Sequence, residues 1–252
     1  MLRSGITNYQ LFSYVLTCLM LPATIFAFLP ILTPYVSIGV VLLYIYIYIL
    51  VIYLTIKDAC VPELTRKIKK EGFKRRPFKS EPGRHVIENN KCNVCELVVE
   101  KYTKHCKRCN YCVGKFDHHC VWLNNCIGSA NYRTFMWLVV SISLSSLAAL
   151  CLSFGVLYLW FSNKNSTAFT CFGQFTEPLR ISWLLCCVIC GIVYMFAFVT
   201  TTHLLYFHIR LWKMGMTTYK FIVSKRRAKV SSLGTISTVS RTNTQNTQPD
   251  VP

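Results

Sequence analysis

Apolar residues along this chain gather into four blocks, at 11–32, 36–56, 136–161 and 181–207. Each is long enough to cross a hydrocarbon core of roughly 30 Å as a helix. The second block holds an alternating Tyr44-Ile45-Tyr46-Ile47-Tyr48 run that would read as a strand in water. Length, and the need to satisfy every backbone group within lipid, make it a helix instead. Pro30 and Thr33-Pro34 mark a tight turn between the first two blocks, which suits a helical hairpin. No Asp, Glu, Lys or Arg falls inside the blocks, so nothing marks an ion path. The predicted fold is an all-α polytopic membrane protein with four transmembrane helices.

Charge adds orientation. The chain has 252 residues, with 28 Lys and Arg against 10 Asp and Glu and a formal charge of +18. Basic residues flanking spans mark the cytoplasmic side. Seventeen lie in 57–135 and eight from residue 208 onward, whereas only Lys164 and Arg180 fall between the last two spans. Both termini and the central segment are therefore expected in the cytoplasm. The loop at 162–180, with its Asn165-Ser166-Thr167 glycosylation pattern, is expected on the lumenal or outer side. The domains expected are a transmembrane hairpin at 1–56, a basic linker at 57–91 solvated against an anionic leaflet, a cysteine-rich domain at 92–135, helices 3 and 4 at 136–207, and a tail at 208–252. Beyond about residue 230 the tail is rich in Ser, Thr, Asn and Gln and is expected to be disordered. No internal repeat stands out.

Seven of the 14 cysteines fall between Cys92 and Cys126. In a reducing compartment that density points to metal or thiol chemistry rather than disulfides. The order is Cys92-x2-Cys95, then His105-Cys106-x2-Cys109-x2-Cys112, then Asp117-His118-His119-Cys120, then Cys126. A Cys-x2-Cys step lets one turn present two thiolates to a tetrahedral zinc at about 2.3 Å. The window offers seven Cys and three His, so two closed four-ligand sites leave two residues over. Crowding at Asp117-His118-His119-Cys120 locates the surplus: on extended backbone His118 and Cys120 share a face while His119 turns to the other. An imidazole beside a thiol raises its reactive thiolate fraction, and Asp117 can orient the imidazolium. The competing reading makes Cys120 a spare ligand and His118 a packed side chain, an arrangement that invites metal scrambling. Cys120 precedes the third span closely, so the thiol is expected at the membrane interface. A long acyl chain gains about 0.8 kcal/mol per buried methylene, which draws it among the helices while its thioester stays at that interface. These features fit acyl transfer between thioesters.

From Cys92 through Phe135, including Cys126-Ile127-Gly128-x2-Asn131-Tyr132-x2-Phe135, the chain resembles the cysteine-rich domain of the Asp-His-His-Cys (DHHC) family of protein S-acyltransferases, the palmitoyltransferases. The flanking spans repeat that family's four-helix topology. The resemblance implies two structural zinc ions, one on Cys92, Cys95, His105 and Cys112, the other on Cys106, Cys109, His119 and Cys126. It implies Cys120 as the nucleophile that takes the acyl group from palmitoyl-coenzyme A or another long-chain acyl-coenzyme A, with His118 as general base and Asp117 orienting it. The acceptors are then membrane-proximal cysteines of protein substrates, at the endoplasmic reticulum, the Golgi or the plasma membrane. Lys101, Lys104, Thr217 and Thr218 are candidate contacts of the coenzyme. The sequence departs from the family pattern in three places. Asp58-Ala59-Cys60 stands for Asp-Pro-Gly, Thr217-Thr218-Tyr219-Lys220 for Thr-Thr-x-Glu, and no Arg-Pro occurs in 96–104. A missing carboxylate suggests an accessory protein subunit that completes the site.

The alternative from another class is a catalytically weak or inactive zinc-dependent membrane adaptor, for which Lys220 is the main support. A nucleic-acid finger fits less well: the fingers are tethered to membrane spans and lack the paired histidines of such modules.

Overall fold

The computed structural model describes residues 5–28, 31–73, 78, 85–162 and 176–245. The chain divides into two units, 1–207 and 208–252. In chain order the helices are α1 (Asn8–Phe28), α2 (Pro34–Ile56), α3 (Pro62–Glu71), α4 (Tyr132–Ser162), α5 (Glu177–Lys213) and α6 (Thr218–Gln245). Of these, α1, α2, α4 and α5 are long and apolar enough to cross a membrane. The alternating Tyr and Ile residues of the second block lie within α2, as the backbone argument requires. Asn131 turns the chain into α4: its Oδ1 accepts from the Gly128 N–H at 3.0 Å and its Nδ2 donates to the Cys126 carbonyl at 2.9 Å.

Several polar groups inside the bundle find partners, as an apolar surround demands. Trp183 on α5 donates to the Ala27 carbonyl at 3.0 Å, where α1 is ending and that oxygen loses its helical partner. Ser143 of α4 and Thr202 of α5 pair at 2.8 Å, and the hydroxyls of Thr24, Tyr44 and Tyr194 meet between α1, α2 and α5.

Two expectations for the polar segments need correction. The linker is not simply solvated: Pro62 at N1, Glu63 in the first turn, Lys69 and Lys70 in the last and left-handed Gly72 at the end define α3. Its Leu64 is fully buried in the core of the cysteine-rich region, with Ile68 and Phe73 packed alongside. Lys74, Arg75, Arg76 and the Asn165 triplet lie outside the described residues. In the tail, helical backbone continues through Gln245 instead of stopping near residue 230.

Among the described residues between α3 and α4 lie seven strands of two or three residues: β1 (Ile87–Glu88), β2 (Lys91–Cys92), β3 (Leu97–Val98), β4 (Lys104–Cys106), β5 (Tyr111–Val113), β6 (His118–Cys120) and β7 (Asn125–Ile127). They form antiparallel hairpins β2–β3, β4–β5 and β6–β7, with β1 added to the first. Their registers correct the impression of a chain without repeats. Cys92 faces Leu97, Cys106 faces Tyr111 and Cys120 faces Asn125, while the preceding rungs are Lys91–Val98, His105–Cys112 and His119–Cys126. Every hairpin thus lies 14 residues after the last, in the same frame. In each one the turn residue four places after the leading cysteine has positive φ, at 53° for Glu96, 54° for Asn110 and 47° for Asn124. The same 14-residue step is present in the linear sequence, in Cys92, Cys106 and Cys120, in His105 and His119, in Asn110 and Asn124 and in Cys112 and Cys126, and the paired registers give it a backbone frame.

Candidate active site

The hairpins bring the candidate metal ligands into two groups. In the first, Nδ1 of His105 lies 3.6, 3.4 and 3.9 Å from the sulfurs of Cys92, Cys95 and Cys112. In the second, Nδ1 of His119 lies 3.7, 3.3 and 3.7 Å from Cys106, Cys109 and Cys126. A tetrahedral zinc with ordinary bond lengths sets its N···S neighbours about 3.5 Å apart, so both groups fit that ion. The donor chemistry agrees. Its hydrogen bond with Cys112 holds the Cys92 thiol far below the ordinary range, and Cys112 is driven far above it by the same partner. Cys106 is likewise held down, first by Cys109, while Cys126 is pushed up, first by Cys106. A dication at either centre lets all three sulfurs ionise. The two histidines differ in support: Nε2 of His105 meets Asn110 Oδ1 at 3.3 Å and its ring stacks on Phe78, whereas Nε2 of His119 is buried with no hydrogen-bond partner.

Cys120 belongs to neither group. Strand alternation on β6 sends His119 to the second cluster and leaves His118 and Cys120 on the opposite face. Asp117, 3% exposed, accepts from His118 Nδ1 at 2.7 Å, and the ring packs edge-on against Phe135. Burial works against the imidazolium, but hydrogen bonds with Asp117 and Cys120 and the charges of both outweigh it, so His118 is pushed up to about 9. The ring thus bonds to both the Asp117 carboxylate and the Cys120 sulfur. Cys120 itself is buried in an apolar cluster with Leu54 of α2, Leu123, Ile127, and Phe135, Leu138 and Val139 of α4; Leu204 and Leu205 of α5 pack against the same cluster.

Two further residues, not anticipated from the sequence, tie this hairpin to the membrane helices. Asn125, opposite Cys120 and fully buried, donates through Nδ2 to the Leu54 and Lys57 carbonyls at 2.6 and 2.8 Å. Its Oδ1 accepts from Tyr111 at 2.8 Å and from the Cys126 N–H at 2.8 Å, so all four bonding positions are used. Tyr111 also accepts from the Ala59 N–H at 3.3 Å, and burial pushes its hydroxyl well above the ordinary range, keeping it a donor. Only the carbonyls released where α2 ends explain an amide here, and no local pattern announces them. The turn of the hairpin meets the start of α1: Thr7 donates to the Val121 carbonyl, Asn124 donates to that of Gly5, and half-exposed Trp122 packs against Tyr9 and Phe12.

Comparison with known proteins now bears on this geometry. The family model described as "DHHC palmitoyltransferase" matches residues 85–225, more than half of the chain. The chain belongs to the DHHC palmitoyltransferase family. Among curated relatives, the human "Palmitoyltransferase ZDHHC11" is 30% identical over 163 residues, covering 58% of this chain and 39% of that protein. The chain therefore spans about two fifths of that relative's length.

Of the three departures from the DHHC pattern, two fall outside the cysteine-rich domain, at 58–60 and 217–220. The Asp58-Ala59-Cys60 segment still docks on hairpin β4–β5, through Ala59 to Tyr111 and through the Val61 N–H to the Cys112 carbonyl at 2.9 Å. Lys101 is exposed with its ammonium 5.4 Å from the Tyr102 ring centre, and Lys104 faces Val113 across β4–β5. In the second unit Thr217 caps α6, its Oγ1 accepting from the Lys220 N–H at 3.4 Å, with Thr218 the first helical residue. The family's Thr-Thr-x-Glu thus reads as a capping box in which Lys220 takes the place of the reciprocating acid.

Proposed function

We propose that this chain is a protein S-acyltransferase that carries a fatty acyl group on Cys120 between acyl-coenzyme A and cysteines of other proteins. The observation that carries the reading is the position of the Cys120 thiol, outside both Cys3His clusters, against His118 and among apolar side chains of α2, α4 and α5. Zinc, held by those clusters, supplies structural rigidity and no reacting group.

In the first half-reaction the remaining ring nitrogen of His118 takes the Cys120 proton, and the imidazolium is stabilised by Asp117. The thiolate adds to the thioester carbonyl, the C–S bond to coenzyme A breaks, and the departing thiolate recovers the proton. In the second, a substrate cysteine gives its proton to His118, attacks the acyl-Cys120 carbonyl and displaces the Cys120 thiolate, which is reprotonated. The acyl tail lies in the bilayer along the helices, and the coenzyme stays on the cytoplasmic side, where Lys101 and Lys104 are groups available to its phosphates. Basic flanks support a cytoplasmic active site and termini, in an endomembrane or the plasma membrane. The Lys220 departure supports an accessory subunit that supplies the missing carboxylate.

The test is a thioester label. Purified protein incubated with palmitoyl-coenzyme A acquires hydroxylamine-sensitive acyl groups, and Cys120→Ser acquires none. Absence of label on the wild type, alone and with co-expressed partners, supports the adaptor reading in place of this one.

A further inference from the structure

The three hairpins share one frame, and the metal clusters use it in a regular way. Each cluster joins the knuckle of one hairpin to the rung of the next: Cys92 and Cys95 with His105 and Cys112, then Cys106 and Cys109 with His119 and Cys126. The first hairpin has a knuckle but carries Lys91 and Val98 on its rung, where no earlier knuckle exists to be served. The third hairpin has the rung, His119 and Cys126, and its leading Cys120 stands where Cys92 and Cys106 stand. The position equivalent to Cys95 and Cys109 is Leu123, and in place of a fourth hairpin the chain enters α4 at Tyr132.

From this we infer that the reactive thiol occupies the first ligand position of an unfinished third knuckle, and that Leu123 is the residue that keeps it free of metal. Leu123 is 7% exposed and packs in the same apolar cluster as Cys120. It therefore acts twice. It withholds the second sulfur that a two-thiolate chelate needs, and it presents hydrocarbon where the turns of the other hairpins present sulfur. A cysteine at this position rebuilds Cys-x2-Cys beside Asp117 and His118, a set of four donors of the kinds that hold zinc. The frame that makes a ligand in the first two hairpins makes a nucleophile in the third by the loss of one partner.

The inference rests on the reading of Cys120 as the acyl carrier for its purpose, but its test does not need acyl transfer. The full chain in detergent, as wild type, Leu123→Cys and Leu123→Ser, is assayed for bound zinc and for alkylation of Cys120 by a small maleimide, read by peptide mass. Leu123→Ser removes the same hydrocarbon without adding a thiol. Leu123→Cys is expected to bind a third zinc and to slow Cys120 alkylation about tenfold or more relative to Leu123→Ser, with the rate restored by a mild chelator that leaves two zincs in place. Equal alkylation of the two variants at added zinc, with two zincs bound, overturns it. Loss of either native zinc from Leu123→Cys overturns it too, since a position equivalent to Cys95 and Cys109 accepts a cysteine. If the wild type fails to self-acylate while these results hold, the enzymatic reading falls and the unfinished knuckle stands.

Discussion

Hairpins β4–β5 and β6–β7 have the same backbone and opposite chemistry. In both, a His–Cys rung faces a metal cluster, a positive-φ Asn closes the turn and a Gly follows the second strand. In the first, however, the leading Cys106 has Cys109 as a partner and Lys104 as its neighbour on the same face. In the second, Cys120 has Leu123 and His118. Register alone does not decide whether a cysteine binds metal or reacts. On the reading proposed above, the side chains three places after it and two places before it do, together with what the strand opposite holds in place. Exchanging equivalent residues between the hairpins tests this directly.

The largest contrast is expected between Cys106→Ser and Cys120→Ser. A structural zinc contributes roughly 10–16 kcal/mol of apparent binding free energy, so losing a ligand at Cys106 should release one zinc and part the second hairpin from the third. Metal analysis should then give about one zinc per chain, with no acyl label. Cys120→Ser should retain both zincs and lose only the label. Zinc loss on Cys120→Ser would mean that its sulfur is a ligand after all, and the contrast between the hairpins would vanish.

Next in size is the pair Asn125 and Tyr111. Asn125→Asp keeps the acceptor used by Tyr111 and Cys126 but turns a carboxylate oxygen toward the Leu54 and Lys57 carbonyls, so the tie to α2 becomes repulsive. A nucleophile displaced by a fraction of an ångström reacts more slowly, and the expected outcome is a fall of about tenfold or more in self-acylation kcat, with KM changed less than about twofold and both zincs retained. Tyr111→Phe removes one hydrogen bond, worth about 1 kcal/mol, and should lower the rate only a few-fold. A fall in KM-limited rate alone would place Asn125 in binding rather than positioning.

These pairs also indicate what the sequence could and could not reveal. The four apolar blocks declared their helices because lipid leaves the backbone no other way to bond, and the Cys and His spacing announced metal because few other uses exist for it. Alternation along β6 was readable from Asp117-His118-His119-Cys120 before any register was known. By contrast, α3 was passed over although Pro62 and Gly72 punctuate it, because its charge drew the reading toward a solvated linker. Asn125 and Tyr111 carry no local signal, since their partners are the Leu54 and Lys57 carbonyls and the Ala59 N–H, 52 to 71 residues away and available only where α2 stops. The 14-residue step is legible in the Cys, His and Asn positions of 92–126, whereas the shared strand register that gives it meaning is a property of pairs.

The paired glycines give a smaller effect of the same kind. A Cβ at Gly128 would lie 2.5 Å from Val113 Cγ1 and 2.8 Å from the Gly114 carbonyl, contacts that require backbone to move. At Gly114 it would meet chiefly the Ser129 hydroxyl at 3.0 Å, which can rotate away. Gly128→Ala is therefore expected to lower stability by about 1–3 kcal/mol, and Gly114→Ala by less than about 1 kcal/mol, read as thermal unfolding in detergent. Equal losses would mean that the second and third hairpins are not packed against each other as described.

The smallest effect concerns the turn position where the first hairpin differs from the other two. Asn110 and Asn124 suit a left-handed φ, because a short amide bonds locally and relieves the clash that a Cβ makes there; Glu96 holds the same conformation at 53° without that help. Removing the strain by Glu96→Asn should gain a few tenths of a kcal/mol. Against it stands the ion pair with Lys67, but at 3.8 Å and with the Glu96 side chain 38% exposed that pair is worth little, and the Lys67 ammonium also donates to the Glu96 carbonyl, which any residue supplies. The balance favours Glu96→Asn raising the unfolding midpoint slightly at unchanged zinc content, whereas Asn110→Glu should lower it. If both substitutions lower it, the three turns do not share one conformation in solution, and the frame that relates a ligand cysteine to a reactive one holds only for the last two hairpins.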